Sequence, residues 1–103
     1  MVEVNWTKDA ILDLLKIGEY IVNESPKYAL LTVETLFFST EILETSPKAG
    51  RIVPEFQNDM IRELIRGNYR IVYRIVSKKR IDVLTIHHSK RLLSNNPFLI
   101  DFP

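Results

Sequence analysis

The chain is predicted to fold as an α+β domain: an N-terminal strand, an antiparallel helical hairpin, then a three-stranded antiparallel meander. Three observations carry this prediction. Apolar residues recur at three- and four-residue spacing between positions 10 and 43, the period of an amphipathic helix. From position 60 to 88 the pattern changes to alternating or continuous β-branched and aromatic residues. Proline, glycine and asparagine break the chain between these regions at Ser25-Pro26, Ser46-Pro47 to Gly50 and Gly67-Asn68.

Val2-Glu3-Val4-Asn5-Trp6 alternates apolar and polar, as a short half-buried strand does. Thr7 reads as a helix N-cap, with Asp9 well placed in the first turn. Ala10, Leu14, Ile17 and Ile21 then form one apolar stripe, and the helix is predicted to end near Asn23 or Glu24. Ser25 followed by Pro26 at the first helical position starts a second helix. Its apolar set runs through Ala29, Leu30, Val33, Leu36, Phe37, Ile42 and Leu43, and Ser46-Pro47-Lys48-Ala49-Gly50 stops it. The connection is so short that the two helices are antiparallel neighbours.

Residues 51–59 read as irregular, broken by Pro54 and Asn58-Asp59. Strands are predicted over Met60–Arg66, Tyr69–Ser77 and Arg80–His88, joined by Gly67-Asn68 and Lys78-Lys79. In the second of these, Tyr69, Ile71, Tyr73 and Ile75 share one face, and Arg70, Val72, Arg74 and Val76 the other. In the third, Ile81, Val83, Thr85 and His87 are expected opposite Asp82, Leu84, Ile86 and His88. The helices can cover one sheet face only, so the arginine-bearing face is predicted to be partly open. A tail follows from Ser89.

With 103 residues, 46% of them hydrophobic and 26% charged, the chain fits one domain over residues 1–103 with an ordinary globular core. It has no cysteine, which excludes disulfides and thiolate metal sites and suits a reducing cytoplasm. No run approaches the roughly 18 apolar residues of a membrane span, and Met1 to Trp6 lacks the pattern of a signal peptide. A cytoplasmic protein without a membrane partner is the expectation. Net charge is +1, yet the halves differ: residues 1–50 hold four lysines against eight acids, and residues 51–103 hold ten basic residues against five acids. Seven of those ten are arginines, whose planar fork suits phosphate or carboxylate. The C-terminal half is therefore the expected contact surface for an anionic partner, and a solvated charged face accounts for the same asymmetry equally well. The two histidines, His87 and His88, have no third ligand nearby, so neither a metal site nor a cofactor is expected.

Arg62-Glu63-Leu64, then Gly67-Asn68-Tyr69-Arg70-Ile71-Val72-Tyr73-Arg74-Ile75, then Ile81 to His88 with Ser89-Lys90-Arg91, resembles the C-terminal half of RelE/ParE toxins. The shared pattern is a Tyr-Arg-apolar-apolar-Tyr strand, a short charged hairpin, an apolar strand and a basic end. The upstream helical hairpin fits as well. The resemblance implies the toxin of a type II toxin–antitoxin, or plasmid stabilisation, system, silenced by a cognate antitoxin and found as a homodimer or a toxin–antitoxin hetero-oligomer. It implies one of two targets. RelE-branch members cut messenger RNA on the ribosome as mRNA interferases, and ParE-branch members poison DNA gyrase, so whether the chain is an enzyme depends on the branch.

By that resemblance Arg70 and Arg91 match two arginines of the ribosome-dependent nucleases, and His88, three residues before Arg91, is the candidate general acid or base. The nuclease lysines have no match: Ile61 and Glu63 stand in their places, with only Arg62 and Arg66 basic nearby. The tail offers Asn95, Asn96, Pro97 and Phe98 but no tyrosine. These departures favour the ParE branch. Arg62, Arg66, Arg70 and Arg74, with Phe38 on the helical hairpin, are the candidates for binding a target or antitoxin. For Arg70 a structural alternative stands beside the functional one, a cross-strand pair with Glu63 or Asp82.

Overall fold

A computed structural model describes residues 1–88. The chain opens with β1 (Glu3–Trp6), followed by α1 (Lys8–Val22). Thr7 caps α1: its hydroxyl accepts from the Ala10 N–H at 3.3 Å and donates to the Val83 carbonyl at 2.7 Å. One side chain thus satisfies a helix N–H that has no intrahelical partner and ties the helix start to the last strand. Ser25 caps α2 (Pro26–Phe38) in the same way, accepting from Tyr28 N at 3.1 Å with Pro26 in the first turn. The two helices pack as the predicted hairpin, closely enough that Gly18 lies under Val33.

The second helix is shorter than its apolar pattern suggests. After Phe38 it tightens into a 3-10 turn over Ser39–Glu44. Ser39 and Thr40 explain the change, because their hydroxyls donate back to the Leu36 and Phe37 carbonyls at 2.7 and 3.0 Å and compete with the α-helical ladder. Ile42 and Leu43 therefore belong to this turn, where Leu43 is still buried.

The remaining strands are β2 (Arg51–Ile52), β3 (Ile61–Arg66), β4 (Tyr69–Ile75) and β5 (Arg80–His88). The sheet order is β1-β5-β4-β3-β2, antiparallel except that β1 runs parallel to β5. Residues 51–52, read as irregular from the sequence, thus add a two-residue edge strand. Gly67, at φ 58°, turns β3 into β4 in the left-handed region that glycine enters without strain.

Helix-facing residues Leu64, Ile71, Tyr73, Ile81, Val83 and Ile86 meet Ala10, Leu14, Leu36 and Leu43 in the main core. Strict alternation fails in β5. Val72 pairs with Thr85 and Tyr73 with Val83, so Leu84 is an extra residue in a β-bulge. The bulge shifts the pattern by one, and Ile86 joins Ile81 and Val83 in the core instead of facing away from them. Asp13 on α1 receives the Thr85 hydroxyl and the Ile86 N–H here, the latter at 3.1 Å, beyond the end of β1. On the other face Val53, Ile61 and Val72 form a second cluster with Phe56 and Leu84. Residues 53–59, in which Gln57 takes a φ of 48°, act as a strap over that face.

Candidate functional site

At Arg70 the arginine-bearing face of β4, which the sequence predicted to be partly open, is covered. Arg70 is 6% exposed. Its Nε donates to Glu63 Oε1 at 2.6 Å, and its two terminal nitrogens grip both oxygens of Glu55 at 3.0 and 2.9 Å. The other oxygen of Glu63 takes Arg51 Nε at 2.6 Å. Four charges from β2, the strap, β3 and β4 thus alternate as Arg51–Glu63–Arg70–Glu55, with Glu63 fully withdrawn from solvent. Hydrogen bonding to Glu55, and then to Glu63, raises the Arg70 pKa above its usual value against the opposing effect of burial. Of the two partners considered from the sequence, Glu63 is the one used. Asp82 instead pairs with Arg80 and Asn5.

His88 does not join Arg70. In the ladder Arg70 stands opposite His87, and His88 stands opposite Tyr69, so the two candidate catalytic side chains project from opposite faces of the sheet. The His88 ring lies edge-on to Tyr69 with centroids 6.0 Å apart. The third member of that set, Arg91, lies outside the described residues.

The other arginines divide between framework and surface. Arg62 donates to the Asp59 and Gly50 carbonyls, both at 2.9 Å, which makes it a brace between β3 and the loop before β2. Arg66 donates to the Ile65 carbonyl at 2.8 Å beside the β3–β4 turn. Arg74 reaches a cleft of about 1110 Å³ at the end of the sheet. Phe38 is exposed at the end of α2 and meets Phe37 edge-on at 5.4 Å. The hairpin also exposes Leu15, Leu30 and Leu31.

The family model described as the ParE toxin of the type II toxin–antitoxin system parDE matches residues 4–93. The chain belongs to the ParE toxin family. A solved structure of the chromosomal ParDE system from P. aeruginosa is 26% identical, covers 85% of this chain and 96% of its own, and superposes with a TM-score of 0.69. The RelBE2 toxin–antitoxin complex from Mycobacterium tuberculosis is 25% identical over 84% of this chain and 96% of its own, with a TM-score of 0.57. Among curated proteins no match was found.

In this ParE-family chain the Tyr-Arg-apolar-apolar-Tyr strand supplies framework contacts that the sequence reading did not identify. Tyr73 is buried, and its hydroxyl donates to the Pro47 carbonyl at 2.7 Å while accepting from Gly50 N at 2.9 Å. Burial raises the Tyr73 pKa, with the Gly50 hydrogen bond and the nearby Arg62 charge acting in the opposite sense. Gly50 is required by this contact, since a Cβ there would lie 2.5 Å from the Glu63 carbonyl oxygen. Glu55 was also missed. It comes from a segment without periodicity, and only a charge in that segment facing a buried arginine could have signalled it.

Proposed function

We propose that this ParE-family toxin acts by binding DNA gyrase rather than by cutting messenger RNA, and that a cognate antitoxin neutralises it in the cytoplasm. The burial of Arg70 beneath Glu55 and Glu63 carries this reading. A nuclease of this fold needs a cationic group free to stabilise charge developing on the scissile phosphate. Here the matching guanidinium already satisfies two carboxylates. Ile61 and Glu63, which stand where nuclease lysines would be, are both buried as well. The apolar side chains exposed on the helical hairpin favour contact with a protein. The ParDE and RelBE2 systems among the structural neighbours support an antitoxin as partner.

Supercoiling by purified gyrase in a titration with the chain tests the proposal. Inhibition that the antitoxin relieves is the expected result, with messenger RNA left intact on translating ribosomes. Full supercoiling at a large excess of the chain would overturn it. Cleavage of the messenger in the parallel reaction would instead establish the ribosome-dependent nuclease.

A further inference from the structure

We infer that the outer face of α2 is a self-docking surface, on which two copies of the chain pair with their α2 helices antiparallel. The inference stands apart from the target proposed above, because it concerns the contact of the chain with itself. An ordinary surface helix buries one apolar stripe and turns polar residues to solvent. α2 departs from that pattern. Ala29 and Leu36 are its buried positions. About half a turn away from them round the helix, Leu31 and Phe38 are 57% and 56% exposed. Tyr28 and Leu30 flank them, and Ile42 extends the surface into the 3-10 turn. A helix apolar on both sides is built for burial on both, and the fold covers one of them.

The charges on the same face select a second copy as the occupant. Lys27 lies in the first turn of α2, where the helix dipole favours negative charge. Glu41 lies beyond its C-terminal end, where the dipole favours positive charge. Both are exposed, and among the described residues neither is in an ion pair. Each is misplaced for its own helix and well placed for an antiparallel copy. A twofold axis between Glu34 and Thr35 sets Leu31 of each copy opposite Phe38 of the other. The same axis puts Glu34 beside the Thr35 hydroxyl and brings Lys27 close to the level of Glu41. A twofold contact must be self-complementary in this way. Parallel helices would instead set Lys27 against Lys27 and Glu41 against Glu41. With one helix per copy, the contact falls at the small end of protein interfaces, so the dimer is reversible.

Sedimentation equilibrium over a concentration series tests the inference. The unmodified chain is compared with the face variant Leu31→Glu with Phe38→Glu, the single reversals Lys27→Glu and Glu41→Lys, and the exchange that combines them. Lys8→Glu with Lys16→Glu on α1 is the control. All the substituted residues are exposed, so each variant should melt like the parent. The expected mass rises with concentration from one copy towards two, and the control behaves alike. The face variant should associate at least roughly a hundredfold more weakly. Either single reversal should weaken association several-fold, and the exchange should restore it. A chain that stays monomeric throughout overturns the inference. So does a dimer that the face variant leaves intact, one that the control weakens equally, or an exchange as weak as its single reversals. A monomeric chain whose face variant loses gyrase inhibition assigns the face to the target and overturns it too. The masses alone leave the gyrase reading untouched.

Discussion

Replacing Arg70 with alanine separates its structural role from a catalytic one. A catalytic arginine on an open face can be truncated with little loss of stability. The buried Arg70 cannot, because its removal strands carboxylates inside the protein. Breaking a buried ion pair costs about 3–5 kcal/mol. Two features move the expected value to the lower end. Glu63 keeps Arg51 at 2.6 Å, and the Glu55 side chain is 20% exposed and can rehydrate. A loss of about 3 kcal/mol follows, a large share of the roughly 5–15 kcal/mol that holds such a domain together. At about 4–8 °C per kcal/mol for a domain near this size, the melting temperature should fall by at least roughly 12 °C. Urea denaturation measures the loss directly, with an unchanged m-value showing that the unfolded state is unaltered. The combined variant Arg70→Met, Glu63→Leu and Glu55→Gln, which removes the charges together, should recover most of it. An Arg70→Ala chain within about 0.5 kcal/mol of the parent would refute the account and return the guanidinium to the list of available catalytic groups.

Two further predictions concern the loop that Tyr73 fastens, with the glycine of the β3–β4 turn as the comparison for the first. Gly50→Ala drives a Cβ against the Glu63 backbone oxygen at 2.5 Å and the Tyr73 ring at 2.8 Å, so it should cost about 2–3 kcal/mol by urea denaturation. Gly67→Ala, with open space around it but a φ of 58°, should cost only about 1 kcal/mol in the same measurement. The second prediction is an alkaline weakness. The folded state raises the Tyr73 pKa by burial, so it favours the neutral phenol. That contribution is complete below the ordinary tyrosine value of about 10 and is lost as pH rises through the raised one. Tyr73→Phe should be less stable than the parent by about 1–3 kcal/mol at pH 7, since the Gly50 N–H loses its acceptor. The gap should narrow above pH 10, and a gap that stays constant to pH 11.5 would refute the titration. Tyr69, shifted in the same direction, leaves some slope in both proteins.

The fold was legible where local chemistry and the tertiary environment agree. Thr7 and Ser25 cap the helices they announce, and the Gly67-Asn68 turn and the three long strands lie where the pattern puts them. Three details were not legible because each depends on a distant partner. The parallel seat of β1 beside β5 joins the two ends of the described chain. The bulge at Leu84 falls where Val83, Leu84 and Ile86 are all apolar with only Thr85 between them, so nothing in the sequence there marks the change of face. The strap over the second face is set by Val53 and Phe56 meeting Ile61 and Val72, contacts that no periodicity predicts. The candidate site suffered most from the last omission, because the sequence showed Arg70 on a strand face but not that Glu55 would cover it.

That omission bears on how the family motif is read. Arg70 closes an ion cluster linking three strands and the strap, and Tyr73 fixes the loop that leads into β2. Both duties serve any chain that must hold this sheet, whatever it inhibits. A motif occupied with internal contacts identifies the fold, and its held arginine argues against phosphate chemistry without naming what the chain binds. Target choice must then reside in side chains that the sheet does not need. Among the described residues, side chains of that kind include the apolar ones exposed on the helical hairpin and the lysines around the cleft, which the motif does not include. They also lie on different elements, the helices α1 and α2 for one set, the sheet end and its adjoining loop for the other. A chain built this way can change what its exposed helix faces bind while the ion cluster and the Tyr73 contacts that hold the sheet stay untouched.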